Sequence, residues 1–242
     1  ETKTRRFRYA DLFVPRKNGK TAMAIPSALL MFAVDGEKGA EVYLGAVGQD
    51  HARRLLFKPA KYICNKYEEF TQKYNITINA SSIVIPDNDS VLTTVIKNPN
   101  DGDSPHCAVI DELHEHKDLS QYETFDTGMG SRRQPLLLII STAGTDLSSP
   151  CKTEFDDCKK ILNGSVKQDD KFCMLFIPDE NDAWDDIKTL RKVNPNMGVS
   201  VGDKYLLSQL EKAKQSAEKQ NAFKTKHVNI WCGSSSAWMN MD

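Results

Sequence analysis

The pattern of apolar and polar residues along the chain predicts buried strands that alternate with helices. Short, almost continuously apolar runs lie at residues 9–14, 41–47, 107–110, 136–140 and 171–177. Such runs are typical of strands covered on both faces, because a half-exposed strand shows alternating apolar and polar residues instead. Segments with apolar residues at helical spacing separate several of these runs. We therefore expect an α/β fold with a mainly parallel central sheet flanked by helices.

Two of the predicted helical regions contain a proline. A helix is expected over residues 19–34, and Pro26 removes one backbone donor from its interior. Apolar residues recur at helical spacing over residues 49–74, where Pro59 favours two helical pieces over one straight helix. Short β segments are expected at residues 76–78, 82–85 and 91–96, and charged helices at 182–190 and 203–219.

The composition excludes several classes of protein. The 242 residues carry 32 Lys+Arg against 33 Asp+Glu, so any contact with nucleic acid must be local. No apolar run approaches the roughly 18–20 residues that a membrane helix needs, so no membrane partner is expected. The segment 1–6 lacks the apolar region of a secretory signal, and the six cysteines contain no C-x-x-C pair. We expect a protein that is not secreted and that keeps its thiols reduced.

The first motif with chemical meaning lies between the first strand and the first helix. Its residues are Val14, Pro15, Arg16, Lys17, Asn18, Gly19, Lys20 and Thr21. A loop that leaves a parallel strand and enters a helix through Gly-Lys-Thr can wrap its backbone N–H groups around a phosphate. Lys20 then neutralises phosphate charge, and the Thr21 hydroxyl reaches Mg²⁺. Val14 stands where the phosphate-loop pattern has its first glycine, so a basic turn before a helix remains an alternative.

A pair of carboxylates follows the apolar strand at 107–110. Asp111 is expected to hold Mg²⁺ through water, and Glu112 to orient or deprotonate the water that attacks the γ-phosphate. The alternative is an acidic pair that caps a helix. His114 and His116 follow closely, but H-E-x-x-H spacing is absent. We therefore interpret them as polar residues at a helix start rather than as metal ligands.

Small and hydroxylated residues end the strand at 136–140. They are Ser141, Thr142, Ala143 and Gly144, and such a segment can sense the γ-phosphate and couple its loss to the following loop. Alone it could be only a tight turn. Arg132 and Arg133 precede this strand, and one of them is a possible phosphate-facing arginine, either in cis or offered to a neighbouring subunit. The alternative for both is a solvated basic turn.

Together these motifs resemble the ATPase domain of the large terminase subunit of tailed bacteriophages. The resemblance is carried by residues 14–21, 108–115, 133–135, 141–144, 193–200, 229–231 and 237–238. The family's phosphate loop commonly lacks the first glycine and carries arginine where Arg16 stands. The resemblance implies a P-loop NTPase of the ASCE/RecA-like type with Walker A and Walker B motifs and a small C-terminal helical lid. It divides the chain into an ATPase core at 1–178, a lid at 179–231 and a linker at 232–242 toward a nuclease domain.

The resemblance also implies the function. It predicts a motor that binds ATP and Mg²⁺ and translocates double-stranded viral DNA into the procapsid, with catalytic roles for Glu112, Lys20 and Arg16. The implied partners are the portal protein, the small terminase subunit and further copies in a ring, although an isolated fragment could be a monomer. The implied location is the host cytoplasm.

Two other functions are weighed against the motor. Residues 111–114 spell a DExH box, which favours a helicase-like ATPase, but about sixty residues after Pro178 cannot supply a second RecA-like lobe. A nucleotide-gated binding module without turnover is the other alternative. Glu112 argues against it, because a pure switch needs no base beside the metal carboxylate.

Overall fold

Eight strands form one sheet in the computed structural model, which describes residues 4–96 and 102–233. The strands are β1 Tyr9–Phe13, β2 Glu41–Ala46, β3 Thr77–Ile78, β4 Ser82–Ile85, β5 Ser90–Ile96, β6 Pro105–Asp111, β7 Leu136–Ser141 and β8 Lys171–Leu175. Their order across the sheet is β3-β4-β5-β2-β6-β7-β1-β8. Only β3–β4 and β4–β5 pair antiparallel within the described ranges. The predicted mainly parallel sheet is therefore confirmed.

Helices connect the strands and cover both faces of the sheet. They are α1 Lys20–Ala33, α2 Gln49–His51, a π-helical segment Ala52–Phe57, α3 Lys58–Lys66, α4 Glu68–Lys73, α5 Ser120–Gly128, α6 Pro150–Leu162, α7 Ile187–Val193, α8 Asp203–Ala213 and α9 Ala217–His227. Short 3₁₀ turns lie at Pro86–Asn88, Leu113–Glu115 and Met129–Ser131. In the described part of the chain, none of the helices is both long and apolar enough to cross a bilayer.

Three predicted helix boundaries are wrong, each for a local reason. The break in the 49–74 region falls at Tyr67 and not at Pro59, which is accommodated in the first turn of α3. The predicted helix 203–219 is two helices, because the Ser216 side chain accepts a hydrogen bond from the Lys219 N–H and starts α9. The helix expected at 182–190 starts later, after the Asp186 cap.

The core lies on both faces of the sheet. On one face α1, the π-helical segment and α3 cover strand residues such as Val42, Leu44 and Leu92. On the other face Phe125 of α5 and Phe155 of α6 pack against the sheet. A separate small cluster joins the C-terminal helices, and its buried members are Leu190, Val193, Leu210, Ala213, Phe223 and Val228. Helices α7–α9 therefore have a core of their own. Of the predicted linker 232–242, residues 234–242 lie outside the described residues.

A buried ionic cluster joins β1, α6 and β8 near the β8 edge of the sheet. Lys171 Nζ lies 2.9 Å from Asp11 Oδ2 and also contacts Glu154. The Cys158 thiol donates a hydrogen bond to Asp11 Oδ2 at 3.2 Å. Burial raises the pKa of Asp11 to about 7, although the charge of Lys171 opposes the rise. All six cysteines, which lie within the described ranges, are free, as predicted.

Replacing Lys171 by Met should destabilise the fold, because it leaves two carboxyl groups buried together without their cation. Breaking a buried ion pair from one side typically costs about 3–5 kcal/mol. The free energy of unfolding in urea measures the loss. Lys167→Met is the matched control, since the Lys167 side chain is 86% exposed and should leave stability nearly unchanged. Equal stability of the two variants would contradict the prediction.

Candidate active site

The carboxyl ends of three neighbouring parallel strands bring the sequence motifs together. Strands β6, β7 and β1 are adjacent, and Phe13 pairs with Ser141 while Asp111 pairs with Ile140. The loop after β1, the acidic pair after β6 and the segment after β7 therefore meet at one edge of the sheet. A cavity of about 600 Å³ opens there, and Arg16, Lys20, Thr21, His51, Asp111 and Glu112 are among its lining residues.

The loop after β1 holds a conformation that depends on glycine. Gly19 has φ 82° and a Cβ at this position would lie 2.9 Å from the Asn196 side-chain nitrogen. Lys17 also has a positive φ, of 69°. Helix α1 starts directly after Gly19, and among the described residues it has neither a side-chain cap nor an acidic residue in its first turn. Its first N–H groups are therefore available to an anion.

Lys20 is a buried cation at the base of this loop. Its residue is 7% exposed, and its ammonium donates a hydrogen bond to the Val14 carbonyl at 3.1 Å. Burial lowers the pKa of Lys20, and the nearby charges of Glu112 and Asp111 offset part of that effect. A phosphate oxygen could replace the carbonyl as acceptor without any large movement of the chain.

The two carboxylates at the end of β6 have opposite electrostatic environments. Asp111 is 3% exposed, and burial raises its pKa. Burial acts in the same direction on Glu112, but hydrogen bonding to His114 and the charge of Lys20 outweigh it and lower the pKa of that residue. Glu112 also has φ 52°, a left-handed conformation that is uncommon for a residue with a side chain. It is therefore a strained and ionised carboxylate.

His51 is a partner of Asp111 that sequence reasoning missed. Its Nε2 lies 2.9 Å from Asp111 Oδ2. The other oxygen, Oδ1, is buried and has no hydrogen-bond partner within the described chain. His51 ends α2, directly before the π-helical segment. In the sequence it stood within an ordinary helical pattern, so only the tertiary structure identifies it.

His114 connects the acidic pair to the segment after β7. Its Nδ1 lies 3.1 Å from Glu112 Oε2 and 3.2 Å from the Ser141 hydroxyl. The Thr142 hydroxyl lies 3.4 Å from the same nitrogen. The His114 side chain is only 13% exposed. His114 does lie in a short helical turn, as predicted, but its side chain turns inward between two motifs.

Residues 143 and 144 contact the chain that follows the C-terminal helices. The Ala143 N–H donates to Asn229 Oδ1 at 2.6 Å, and the Asn229 side chain donates to the Phe176 carbonyl at 3.1 Å. A Cβ on Gly144 would lie 3.0 Å from the Trp231 ring. This close approach requires glycine, and it joins the predicted coupling segment to the chain that follows α9.

Asparagine side chains bind the loop after β1 to the C-terminal helices. Asn18 Nδ2 donates to Asn194 Oδ1 at 2.7 Å, while the Asn196 N–H donates to Asn18 Oδ1 at 3.1 Å. Asn194 in turn donates to the Leu190 and His227 carbonyls. We call the side chains of Asn18, Asn194 and Asn196 the amide clasp. In the sequence, residues 193–200 contributed only to the family resemblance, and nothing there indicated this contact with Asn18.

A comparison with known protein families shows which family this chain matches. The family described as the ATPase domain of the terminase large subunit matches residues 1–160, which is more than half of the chain. The chain belongs to the terminase large-subunit ATPase family. The P-loop NTPase-like fold predicted from the resemblance is that of this family's ATPase domains.

Two curated proteins are similar to this chain in sequence. The protein YmfN of Escherichia coli K12 is 48% identical over 150 residues, which cover 62% of this chain and 33% of YmfN. The large terminase subunit of Enterobacteria phage HK97 is 24% identical over 226 residues, covering 91% of this chain and 44% of the relative. The chain therefore spans less than half the length of these curated relatives.

Solved terminase structures share the fold. The crystal structure of the HK97 large terminase superposes with a TM-score of 0.81 at 19% identity, covering 93% of this chain and 47% of that one. The large terminase of a thermophilic bacteriophage, in complex with ADP, gives 0.60 at 12% identity, covering 94% of this chain and 48% of that one.

The two arginines predicted as phosphate-facing lie far from the candidate active site. Arg132 donates to the Ser104 carbonyl and forms ion pairs with Glu37 and Glu41, at the amino ends of β2 and β6. Arg133 is exposed at the start of β7. The carboxyl ends that carry the site are at the opposite edge of the sheet. A cis role for either arginine is therefore wrong.

Replacing Asn194 by Ala should loosen the loop from the C-terminal helices. Asn194 is 1% exposed, and its loss removes the hydrogen bond from Asn18 and the one donated to the His227 carbonyl, at a cost of about 1–3 kcal/mol. Urea unfolding of Asn194→Ala, Asn18→Ala and the double variant measures this. Since the two side chains share a hydrogen bond, their effects should be non-additive by about 0.5 kcal/mol or more. Simple additivity would contradict the amide clasp, and exposed Asn181→Ala is the control.

Proposed function

We propose that this chain hydrolyses ATP with Mg²⁺ and is the motor part of a phage DNA-packaging machine. The observation that carries the proposal is a single cavity that joins an uncapped helix start, a buried lysine, a buried aspartate and a partly buried glutamate. Family membership supports a packaging ATPase. Each group in the cavity matches one requirement of phosphoryl transfer, which depends on positioning and electrostatic stabilisation.

The triphosphate is bound by the loop after β1. The free N–H groups at the start of α1 contact phosphate oxygens, and Lys20 exchanges the Val14 carbonyl for an oxygen of the β- or γ-phosphate. Arg16, whose guanidinium lies 3.9 Å from Glu115, is close enough to the cavity to contact the same group. Residues 15–21 together form the cradle.

Asp111 and Thr21 are suited to hold Mg²⁺. Asp111 Oδ1 is a buried oxygen with no partner among the described residues, and both residues line the cavity. Magnesium prefers carboxylate, hydroxyl, phosphate and water oxygens. When bound, the ion neutralises charge on the β- and γ-phosphates. His51 contacts the other carboxylate oxygen, Oδ2, so it can orient Asp111 while Oδ1 faces the ion.

Glu112 is the proposed base. Its lowered pKa keeps it ionised at neutral pH, and its left-handed backbone turns it away from the regular strand. From there it orients a water molecule against the γ-phosphate and accepts its proton. Loss of the phosphate is transmitted through His114 to Ser141 and Thr142. The contact between Ala143 and Asn229 continues this path toward the lid.

The wider assignment follows from the family and remains part of the proposal. The motor translocates double-stranded DNA into the procapsid in the host cytoplasm, together with the portal protein, the small terminase subunit and further copies in a ring. Arg133, which is exposed, is available only to a neighbouring copy. The division into a core at 1–178, a lid at 179–231 and a linker at 232–242 toward a nuclease domain belongs to the same proposal. The ADP complex of the thermophilic phage's large terminase supports a nucleotide in this fold.

Lys20→Ala should abolish nucleotide binding, because the phosphate charge loses its buried cation. Titration with a fluorescent non-hydrolysable ATP analogue in the presence of Mg²⁺ measures the affinity. Lys159→Ala, on an exposed face of α6, is the control and should bind as the wild type does. Equal affinity in the wild type and Lys20→Ala would remove the phosphate-cradle assignment.

Glu112→Gln should keep nucleotide binding and lose turnover by about 10²–10⁴-fold, the range typical of general-base catalysis. Retained binding of the same analogue shows that the variant is folded. Phosphate release under saturating ATP and Mg²⁺ measures turnover, and addition of EDTA should stop it in the wild type. Glu123→Gln, exposed on α5, is the control. A variant with nearly normal turnover would exclude Glu112 as the base.

A further inference from the structure

A cationic helical surface begins beside the metal carboxylate. The segment 52–66 contains five basic residues and no aspartate or glutamate, and these residues are Arg53, Arg54, Lys58, Lys61 and Lys66. It comprises the π-helical segment and α3. We call these five side chains the cationic face. Since the whole chain has a formal charge of −1, the cationic face is a local departure from near-neutrality.

None of the five cations forms an ion pair with another described residue, in contrast to several basic residues elsewhere. Arg5, Arg132 and Lys171 each contact carboxylates at buried or partly buried positions. In the cationic face, Lys61 donates to the Asn79 carbonyl, and Lys66 lies over tyrosine rings. These contacts leave the positive charge uncompensated, so the surface is suited to an external polyanion.

Four of the five cations of the cationic face line a groove. A cavity of about 430 Å³ lies between the helical segment and Ala80, and Arg53, Arg54, Lys58 and Lys61 are among the residues that line it. Asn65 adds a neutral hydrogen-bonding group to the same groove. Guanidinium, ammonium and amide groups are those that contact phosphate oxygens in nucleic-acid complexes.

The dimensions favour a nucleic-acid backbone over a single phosphate. At about 1.5 Å per residue, the helical segment from Arg53 to Lys66 is about 20 Å long. Phosphates follow one another along each strand of a duplex at about 3.4 Å of axial rise, so this length matches several of them. Charges are distributed along the whole segment, which is the arrangement expected for an extended polyanion.

Two exposed tyrosines bear on whether the surface is suited to double-stranded or single-stranded nucleic acid. Tyr62 is 61% exposed and Tyr67 is 55% exposed, as in the aromatic platforms on which unpaired bases stack. Here the Lys66 ammonium lies 5.7 Å from the Tyr62 ring centre and 5.8 Å from that of Tyr67. Because a cation occupies the neighbourhood of both rings, the surface favours phosphate contacts over base stacking.

We propose that the cationic face binds the phosphate backbone of double-stranded DNA. This inference rests on the proposed function, and it names the surface through which the motor contacts its DNA. The segment continues directly from His51, whose ring contacts Asp111. Displacement of the segment by DNA therefore reaches the metal carboxylate through a single side chain, which makes turnover sensitive to DNA.

The triple variant Arg53→Gln, Lys58→Gln, Lys61→Gln tests the proposal. Arg54 is left intact because it also lines the catalytic cavity. Fluorescence anisotropy with a labelled duplex of about 40 base pairs, at several salt concentrations, measures affinity. Each lost phosphate contact should reduce the slope of log affinity against log salt by about 0.9, so the total reduction should approach about 3 units. Affinity at low salt should fall by at least about tenfold, and stimulation of ATP hydrolysis by DNA should disappear.

The control is Lys159→Gln, Lys188→Gln, Lys204→Gln, which removes the same charge from exposed positions on α6, α7 and α8. It should keep the wild-type slope, and both triple variants should hydrolyse ATP normally without DNA. Any of four outcomes would overturn the proposal. They are equal losses of DNA affinity in the two variants, an unchanged salt slope in the first variant, no DNA binding by the wild type, and tighter binding of the wild type to single-stranded RNA or anionic vesicles than to the duplex. If DNA affinities and salt slopes are as expected but the wild type does not hydrolyse ATP, only the proposed catalysis is refuted.

Discussion

Hydrogen bonding between three parallel strands places the chemistry of this protein at one edge of its sheet. Strands β6, β7 and β1 are neighbours, and their carboxyl ends bring Lys20 close to Asp111 and Glu112 in a buried setting. Charges of opposite sign stabilise one another there, because water is largely excluded and the effective dielectric constant is low. The lid contacts, the His114 connection and the groove beside His51 all depend on this arrangement.

Two adjacent carboxylates could be expected to behave alike, yet their surroundings separate them. Asp111 lies deeper and contacts His51, whereas Glu112 is close to His114 and to the cations of the loop. One carboxylate therefore keeps a buried oxygen, Oδ1, that has no hydrogen-bond partner among the described residues. The other is kept ionised by its neighbours, in a left-handed backbone conformation. Differences in desolvation and hydrogen bonding thus shift the pKa values of two adjacent carboxylates in opposite directions.

Much of the fold could be predicted from the sequence, because strands buried on both faces are continuously apolar and the phosphate loop and acidic pair lie at strand ends. Residues whose roles depend on distant contacts could not. His51 and His114 look like ordinary helix residues until the sheet brings them to Asp111 and Glu112. Arg132 resembles a catalytic arginine in sequence, but its carboxylate partners come from the opposite edge of the sheet. Helix ends depend on caps such as Ser216, which override the apolar periodicity.

The amide clasp joins the loop to the C-terminal helices through groups that carry no net charge. The Asn18 carboxamide donates to the Asn194 side chain and accepts from the Asn196 backbone N–H, with little dependence on pH or counterions. The cationic face, by contrast, consists of charges without ion-pair partners among the described residues, so salt would weaken its attraction to any anion. The protein thus combines an electroneutral latch, whose strength depends little on the ionic milieu, with a charged surface that responds to it.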